Sequence, residues 1–265
     1  MTDSKSSLIS VGTDPSKASE VIVMIHGIGG QASNFSPIMD LIKEAMPIHL
    51  KAINLPGYAG TESIEGDLDF HKLSLILGEV IKDIGRPVHL VGHSIGGMIA
   101  LEHAIGCPQQ VKSLTMLGAT SAFGGRDDSF KKAFLKARLA PLDQGQSMAE
   151  MAKAAAPFLV STKAGQDVIN AVEESLAAVP LHVWKQILKC LVTFNRRDDL
   201  DKVKCPTLII AGEEDTNSPA KTLEKMAGQL KDARFECLND AGHILPLEAP
   251  EKISTIISDF IVGLK

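Results

Sequence analysis

The sequence predicts an α/β fold: a mostly parallel, doubly wound sheet with an inserted helical cap. Three observations carry that prediction. From Val21 to Leu117, short apolar β-branched runs alternate with segments whose apolar residues recur at helical spacing. The same alternation resumes from Cys205 to Leu264. Between them, from about Ser121 to Asp201, no strong strand pattern occurs and the chain reads as successive helices. Strands alternating with helical segments build parallel sheets covered on both faces, and the intervening stretch is too long for a connecting loop. The expected division is residues 1–120 and 202–265 as the core and 121–201 as the cap.

The elements follow in order. Residues 1–19 are polar and close on a turn-like Thr13-Asp14-Pro15-Ser16-Lys17, with Leu8-Ile9-Ser10-Val11 as a short edge strand. Glu20 to Ile25 is a uniformly apolar strand after its first residue, the pattern of a strand buried on both faces. It runs into His26-Gly27-Ile28-Gly29-Gly30. A helix follows over about Asn34 to Met46, with Phe35, Ile38, Leu41, Ile42 and Met46 at helical spacing. His49 to Ile53 is the next strand, and Phe70 to Ile84 the next helix, ended by Gly85-Arg86-Pro87. Val88 to Val91 leads through Gly92-His93-Ser94-Ile95-Gly96-Gly97 into a helix that runs to about Gly106. Val111 to Leu117 is a strand closed by Gly118. The cap helices are expected at Asp128–Arg138, Ser147–Phe158, Gln166–Val179 and Leu181–Thr193. The core returns with a strand at Cys205–Ala211, a helix at about Ala220–Leu230, a strand at Arg234–Leu238 and a closing helix from Pro250 to about Leu264.

Composition narrows the function classes. The chain has 265 residues, 45% hydrophobic and 22% charged, with a formal charge of −5 and interspersed signs. Nothing in that balance points to nucleic acid, and no polybasic run points to a membrane surface. No apolar run approaches the ~18 residues of a membrane span, and the polar start lacks the apolar region of a secretory signal. Cys107, Cys190, Cys205 and Cys237 stand far apart, which reads as reduced core thiols in a cytoplasmic protein. The histidines outside the strand-end motifs (His49, His71, His89, His103 and His182) show no metal-ligand spacing. Gly27-x-Gly29-Gly30 is not the dinucleotide pattern. The expectation is no cofactor and no metal, with a small-molecule substrate as partner and a homodimer left open.

The chemistry concentrates at strand ends. Gly92-x-Ser94-x-Gly96 lies between a strand and a helix, the context of a nucleophile elbow. A serine on such a turn is strained, and its neighbours approach so closely that glycine is needed beside it. Asp215 and His243 also lie just past the carboxyl ends of strands. In an open parallel sheet those ends form one crevice, where ligands bind. Glu213 and Glu214 adjoin Asp215 and are rival acids; Asp240 reads as a loop residue. His93 and His26 lie near the serine and the glycine turn; either could touch substrate, but both read as structural hydrogen-bonding groups.

The order Ser94, Asp215, His243 with Gly-x-Ser-x-Gly resembles the α/β-hydrolase family, and the resemblance runs from Val21 to Leu264. It rests on His26-Gly27, Gly92 to Gly97, Gly212-Glu213-Glu214-Asp215, and Ala241-Gly242-His243 ahead of Pro246 and Glu248-Ala249-Pro250-Glu251. The chain departs from the family pattern in its short N-terminal edge, in Asn54 where many members have Asp, and in Tyr58-Ala59-Gly60 in place of a tighter turn. The resemblance implies Ser94 as nucleophile, His243 as general base and Asp215 as the acid that orients it. It further implies an oxyanion hole from the backbone N–H groups of Ile28 and Ile95. The register of the family favours Asp215 over its neighbours.

The layout is similar to small bacterial esterases and to enol-lactonases. It implies a serine hydrolase that cleaves a small carboxylic ester or lactone. The alternatives are carbon–carbon hydrolysis of a diketone-type ring-fission product and a ligand receptor that retains the triad without turnover. Pocket candidates are apolar cap residues, Trp184, Met148 and Phe158 foremost, with plain packing as the rival reading; Arg126, Arg138, Arg196 and Arg197 are candidates to meet a carboxylate, with solvated surface charge as the default reading.

Overall fold

The computed structural model describes residues 8–14, 16–124 and 128–264. Its strands are β1 (Leu8–Gly12), β2 (Val21–Ile25), β3 (His49–Ile53), β4 (Val88–His93), β5 (Val111–Leu117), β6 (Thr207–Gly212) and β7 (Ala233–Leu238). They form one sheet in the order β1-β3-β2-β4-β5-β6-β7. β1 runs antiparallel to β3, and every other pairing is parallel. The helices are α1 (Ser36–Ala45), α2 (Phe70–Ile84), α3 (Ile95–Gly106), α4 (Ser129–Asp143), α5 (Met148–Ala155), α6 (Gln166–Ala177), α7 (Leu181–Leu191), α8 (Ala220–Ala227), α9 (Leu245–Glu248) and α10 (Pro250–Gly263).

Successive strand residues point to opposite faces, and β2 shows the consequence. Val21, Val23 and Ile25 enter one apolar cluster, while Ile22 and Met24 enter another. α2, α3 and α8 cover the first face with Leu73, Leu77, Ile99 and Leu223. α1 and α10 cover the second with Ile38, Ile42, Ile253 and Ile257. That double coverage is why the central strands are apolar throughout rather than alternating. The helix boundaries have local causes. Asp69 caps α2 by accepting from Lys72 N at 2.7 Å, and Gly85 ends it with φ +77°.

Four helices, α4 to α7, lie between β5 and β6. The two limbs of this insertion meet at its base, where Ala122 and Asn195 form an antiparallel bridge and Phe123 N–H donates to Phe194 O at 2.9 Å. Several boundaries differ from expectation. α4 continues past Pro141 to Asp143 instead of ending at Arg138, because a proline in the last turn forfeits a single hydrogen bond near the helix end. The helix expected from Asn34 starts with a 3-10 turn, Ala32–Phe35, and becomes α-helical at Ser36. α9 and the 3-10 turn Arg197–Lys202 carry too few residues to show a period. Cys237, expected as a core thiol, is exposed.

Candidate active site

The elbow is built by its glycines and by one strained serine. Ser94 adopts φ +52°, ψ −121°, a region that side chains seldom enter. Its N–H donates to Leu117 O at 2.9 Å, which ties the turn to β5. A Cβ on Gly92 would run into the Gly96 carbonyl, and a Cβ on Gly96 would run into that of Ile25. α3 therefore starts directly against β2 and β4, and Ile95 is its first residue. The N–H groups of a helix's first turn have no intrahelical acceptor, and that of Ile95 is the first of them.

The strand ends bring three side chains into line. Ser94 Oγ lies 3.1 Å from His243 Nε2, and His243 Nδ1 lies 2.7 Å from Asp215 Oδ2. The carboxylate can only accept, so Nδ1 carries the ring proton and Nε2 is left to accept from the serine hydroxyl. Asp215 and His243 are 4% and 8% exposed, which removes most competing water. Burial pushes the Asp215 carboxyl upward. The hydrogen bond and charge of His243, with the N–H groups of Ser218 and Asn217, outweigh it and hold the group below its ordinary value. Those two N–H groups reach Oδ1 at 2.9 and 2.8 Å. Gly118, at φ +53°, leaves room for this pair; a Cβ there would lie 3.2 Å from Asp215 Oδ2.

Two of the neighbouring carboxylates have other partners. Glu214 accepts from Thr162 N at 2.7 Å and from Thr162 Oγ1 at 3.1 Å. Asp240 pairs with Lys163 at 2.8 Å. Glu213 is exposed.

The turn after β2 passes beside the serine. A Cβ on Gly27 would lie 3.3 Å from Ser94 Cβ and 2.7 Å from His93 Nδ1. His26 shapes this turn: Nδ1–H donates to Gly27 O at 2.7 Å, and Nε2 accepts from Leu55 N–H at 3.0 Å. Tyr58 Oη donates to Ile28 O at 2.7 Å. The segment that carries Ile28 N–H is thus held from both sides. Burial keeps both nearby histidines neutral, lowering His26 to about 4 and His93 to about 3.

The cap candidates separate. Trp184 is 5% exposed, and its Nε1 has no hydrogen-bond partner among the described residues. Met148 is partly buried against the main apolar cluster. Phe158 is 82% exposed and faces solvent, since it sits on a single 3-10 turn rather than on a helix face. Arg196 is committed to Glu102 through two bonds of 2.6 and 2.7 Å, and Arg197 to Gly124 O. Arg138 stacks over Phe134 at 3.8 Å, and Arg126 lies outside the described residues. Among the described residues, no group of three or more His, Cys, Asp or Glu side chains could hold a metal, and no helix is long and apolar enough to cross a membrane.

Sequence reasoning passed over the main-chain supports of His243. Its N–H donates to Leu159 O at 2.8 Å, and its carbonyl accepts from His93 Nε2 at 2.7 Å. Glu248, noted only as part of a motif, bonds the N–H groups on either side of it.

Known proteins resemble this chain over most of its length. A model of the alpha/beta hydrolase family matches residues 22–255. The chain is 25% identical over 250 residues to the pimeloyl-[acyl-carrier protein] methyl ester esterase of Neisseria meningitidis, covering 91% of this chain and 93% of that one. It is 25% identical over 248 residues to the biotin biosynthesis bifunctional protein BioHC of Cellvibrio japonicus, covering 91% of this chain but only about half, 47%, of that protein. Among solved structures, a thermophilic esterase from Thermogutta terrifontis superposes with a TM-score of 0.85 at 20% identity, covering 97% of this chain and 93% of that one.

Proposed function

The chain belongs to the alpha/beta hydrolase family, and from that premise we propose that it is a serine hydrolase cleaving a small carboxylic ester or lactone. The observation that carries the proposal is the hydrogen-bonded series from Ser94 Oγ through His243 to Asp215, at 3.1 and 2.7 Å. Serine attacks poorly until a base takes its proton, and His243 Nε2 is in reach to do so. Asp215 fixes the ring's tautomer and stabilises the imidazolium as it forms. Attack puts negative charge on the carbonyl oxygen, which the N–H groups of Ile95 and Ile28 receive; losing one such donor typically costs ~10²–10³ in rate. His243 then returns its proton to the leaving oxygen, and water releases the acyl group by the same steps.

In this reading residues 121–201 form the cap, and Trp184 and Met148 contribute its inner wall. A cytoplasmic setting fits four free cysteines, of which burial pushes Cys190 up to about 12 and Cys205 up to about 11. The similar esterases named above support ester cleavage over a receptor role. The test is labelling with a fluorophosphonate, peptide mapping, and a panel of short esters, lactones and diketones. An adduct on Ser94 with turnover of esters or lactones is expected. Absence of an adduct on folded protein, or turnover confined to diketones, overturns the proposal.

A further inference from the structure

Glu248 gathers backbone N–H groups from two parts of the chain. Its Oε1 accepts from Ile244 at 2.9 Å, and its Oε2 from Gly242 at 2.9 Å and from Ser161 at 2.7 Å. The first two donors flank His243. The third belongs to the segment that follows α5, whose Leu159 O accepts from His243 N–H at 2.8 Å. The two segments are in close backbone contact, because a Cβ on Gly242 would lie 2.6 Å from both Ser161 N and the Val160 carbonyl carbon.

We infer that Glu248 is a positioning residue for His243. It clamps the histidine's loop and residues 159–162 into one unit that keeps Nε2 within reach of Ser94 Oγ. The inference rests on the proposed reading of Ser94 as nucleophile and His243 as base. A carboxylate suits the task. It presents two acceptor oxygens and no donor, and bonds from N–H to an ionised group are the stronger kind. Glutamine would present one acceptor oxygen and turn its NH₂ group against an N–H on the other side. The base needs this restraint because His243 sits on an irregular loop, between the turn residue Asp240 at φ +61° and the short α9. A shift of about 1 Å in such a group can cost on the order of 10² in rate.

The experiment compares Glu248→Ala, Glu248→Gln and Ser94→Ala with the unaltered protein. Readouts are kcat and KM on a short activated ester, the rate of Ser94 phosphonylation, active-site titration and the urea midpoint. In Glu248→Ala, kcat and the phosphonylation rate per titrated site should both fall about 10²-fold, with KM changed less than about twofold. Glu248→Gln should fall between, with the adduct still on Ser94. Unchanged rates per titrated site, with only a smaller folded fraction, would mean a structural role and overturn the inference. If the alanine variant does not fold, the glutamine variant decides: unaltered rates there overturn it equally. Undiminished hydrolysis by Ser94→Ala would instead bring down the functional reading, and this inference with it.

Discussion

His93 Nε2–H donates to the carbonyl oxygen of His243 across 2.7 Å, so the residue before the serine holds the backbone of the histidine opposite. The rings lie 5.2 Å apart, and both are buried. His93→Ala leaves that carbonyl, between two buried residues, without its partner. Leaving one such group unpaired costs about 1–3 kcal/mol. We expect the urea midpoint of His93→Ala to drop accordingly and kcat to fall with it. His93→Gln, whose amide can donate, should recover part of both. An unchanged midpoint in the alanine variant would show that the bond contributes nothing.

Acid should weaken the fold well before carboxylates protonate. Burial lowers His26 and His89 to about 4 and His93 to about 3, from a common ordinary value of 6.5. Between those limits the unfolded chain holds more protons than the folded one, so stability rises with pH there and falls on acidification. Each ring contributes up to about 1.4 kcal/mol per pH unit within its window. Asp215 acts lower down: its folded value lies below 3.8, so its contribution is full above 3.8 and is lost as the pH falls from there through the folded value. The urea midpoint is expected to be level above about pH 7.5 and to decline steadily from 6.5 to 4. A midpoint that stays constant over that interval would show that these rings are not held neutral.

Ser94, the proposed nucleophile, stores backbone strain at φ +52°. A non-glycine residue at positive φ costs on the order of 1–3 kcal/mol. Ser94→Ala keeps the strain and removes the hydroxyl; Ser94→Gly removes both. Both variants should be inactive and unlabelled by a fluorophosphonate. Ser94→Gly should also melt above Ser94→Ala, by roughly 1 kcal/mol after the extra chain entropy of glycine is subtracted. Equal melting would place the strain elsewhere, and activity in either variant would remove Ser94 from the mechanism.

The strand ends were legible because chemistry and periodicity coincide there. Apolar runs before Ser94 and Asp215 announce β4 and β6, the alternating Arg234 to Leu238 announces β7, and a parallel sheet puts their carboxyl ends on one edge. What stayed hidden depends on contacts between distant segments. Nothing around Glu248 signals a carboxylate that will bond Ser161, 87 residues away in the chain. Arg196 reads as a free cation until Glu102, 94 residues distant, is seen against it. Phe158 carries an apolar ring, but a three-residue turn has no face, so its 82% exposure could not be inferred from spacing.

Trp184 poses the sharpest question about the pocket. Its ring is buried, yet Nε1–H finds no acceptor among the described residues. A buried donor left unpaired costs about 1–3 kcal/mol; in the proposed reading of Trp184 as part of the cap's inner wall, a substrate oxygen would offset that cost on binding. Trp184→Phe keeps an aromatic ring and removes the donor. Deleting an unpaired polar group favours the free protein, and that gain opposes the loss from a smaller ring. We expect the urea midpoint of Trp184→Phe to stay level or rise, while KM for short esters increases roughly 3- to 10-fold, the weight of one neutral hydrogen bond. A lowered midpoint with unchanged KM would make Trp184 a packing residue of α7, and substrate recognition would then rest on other cap side chains.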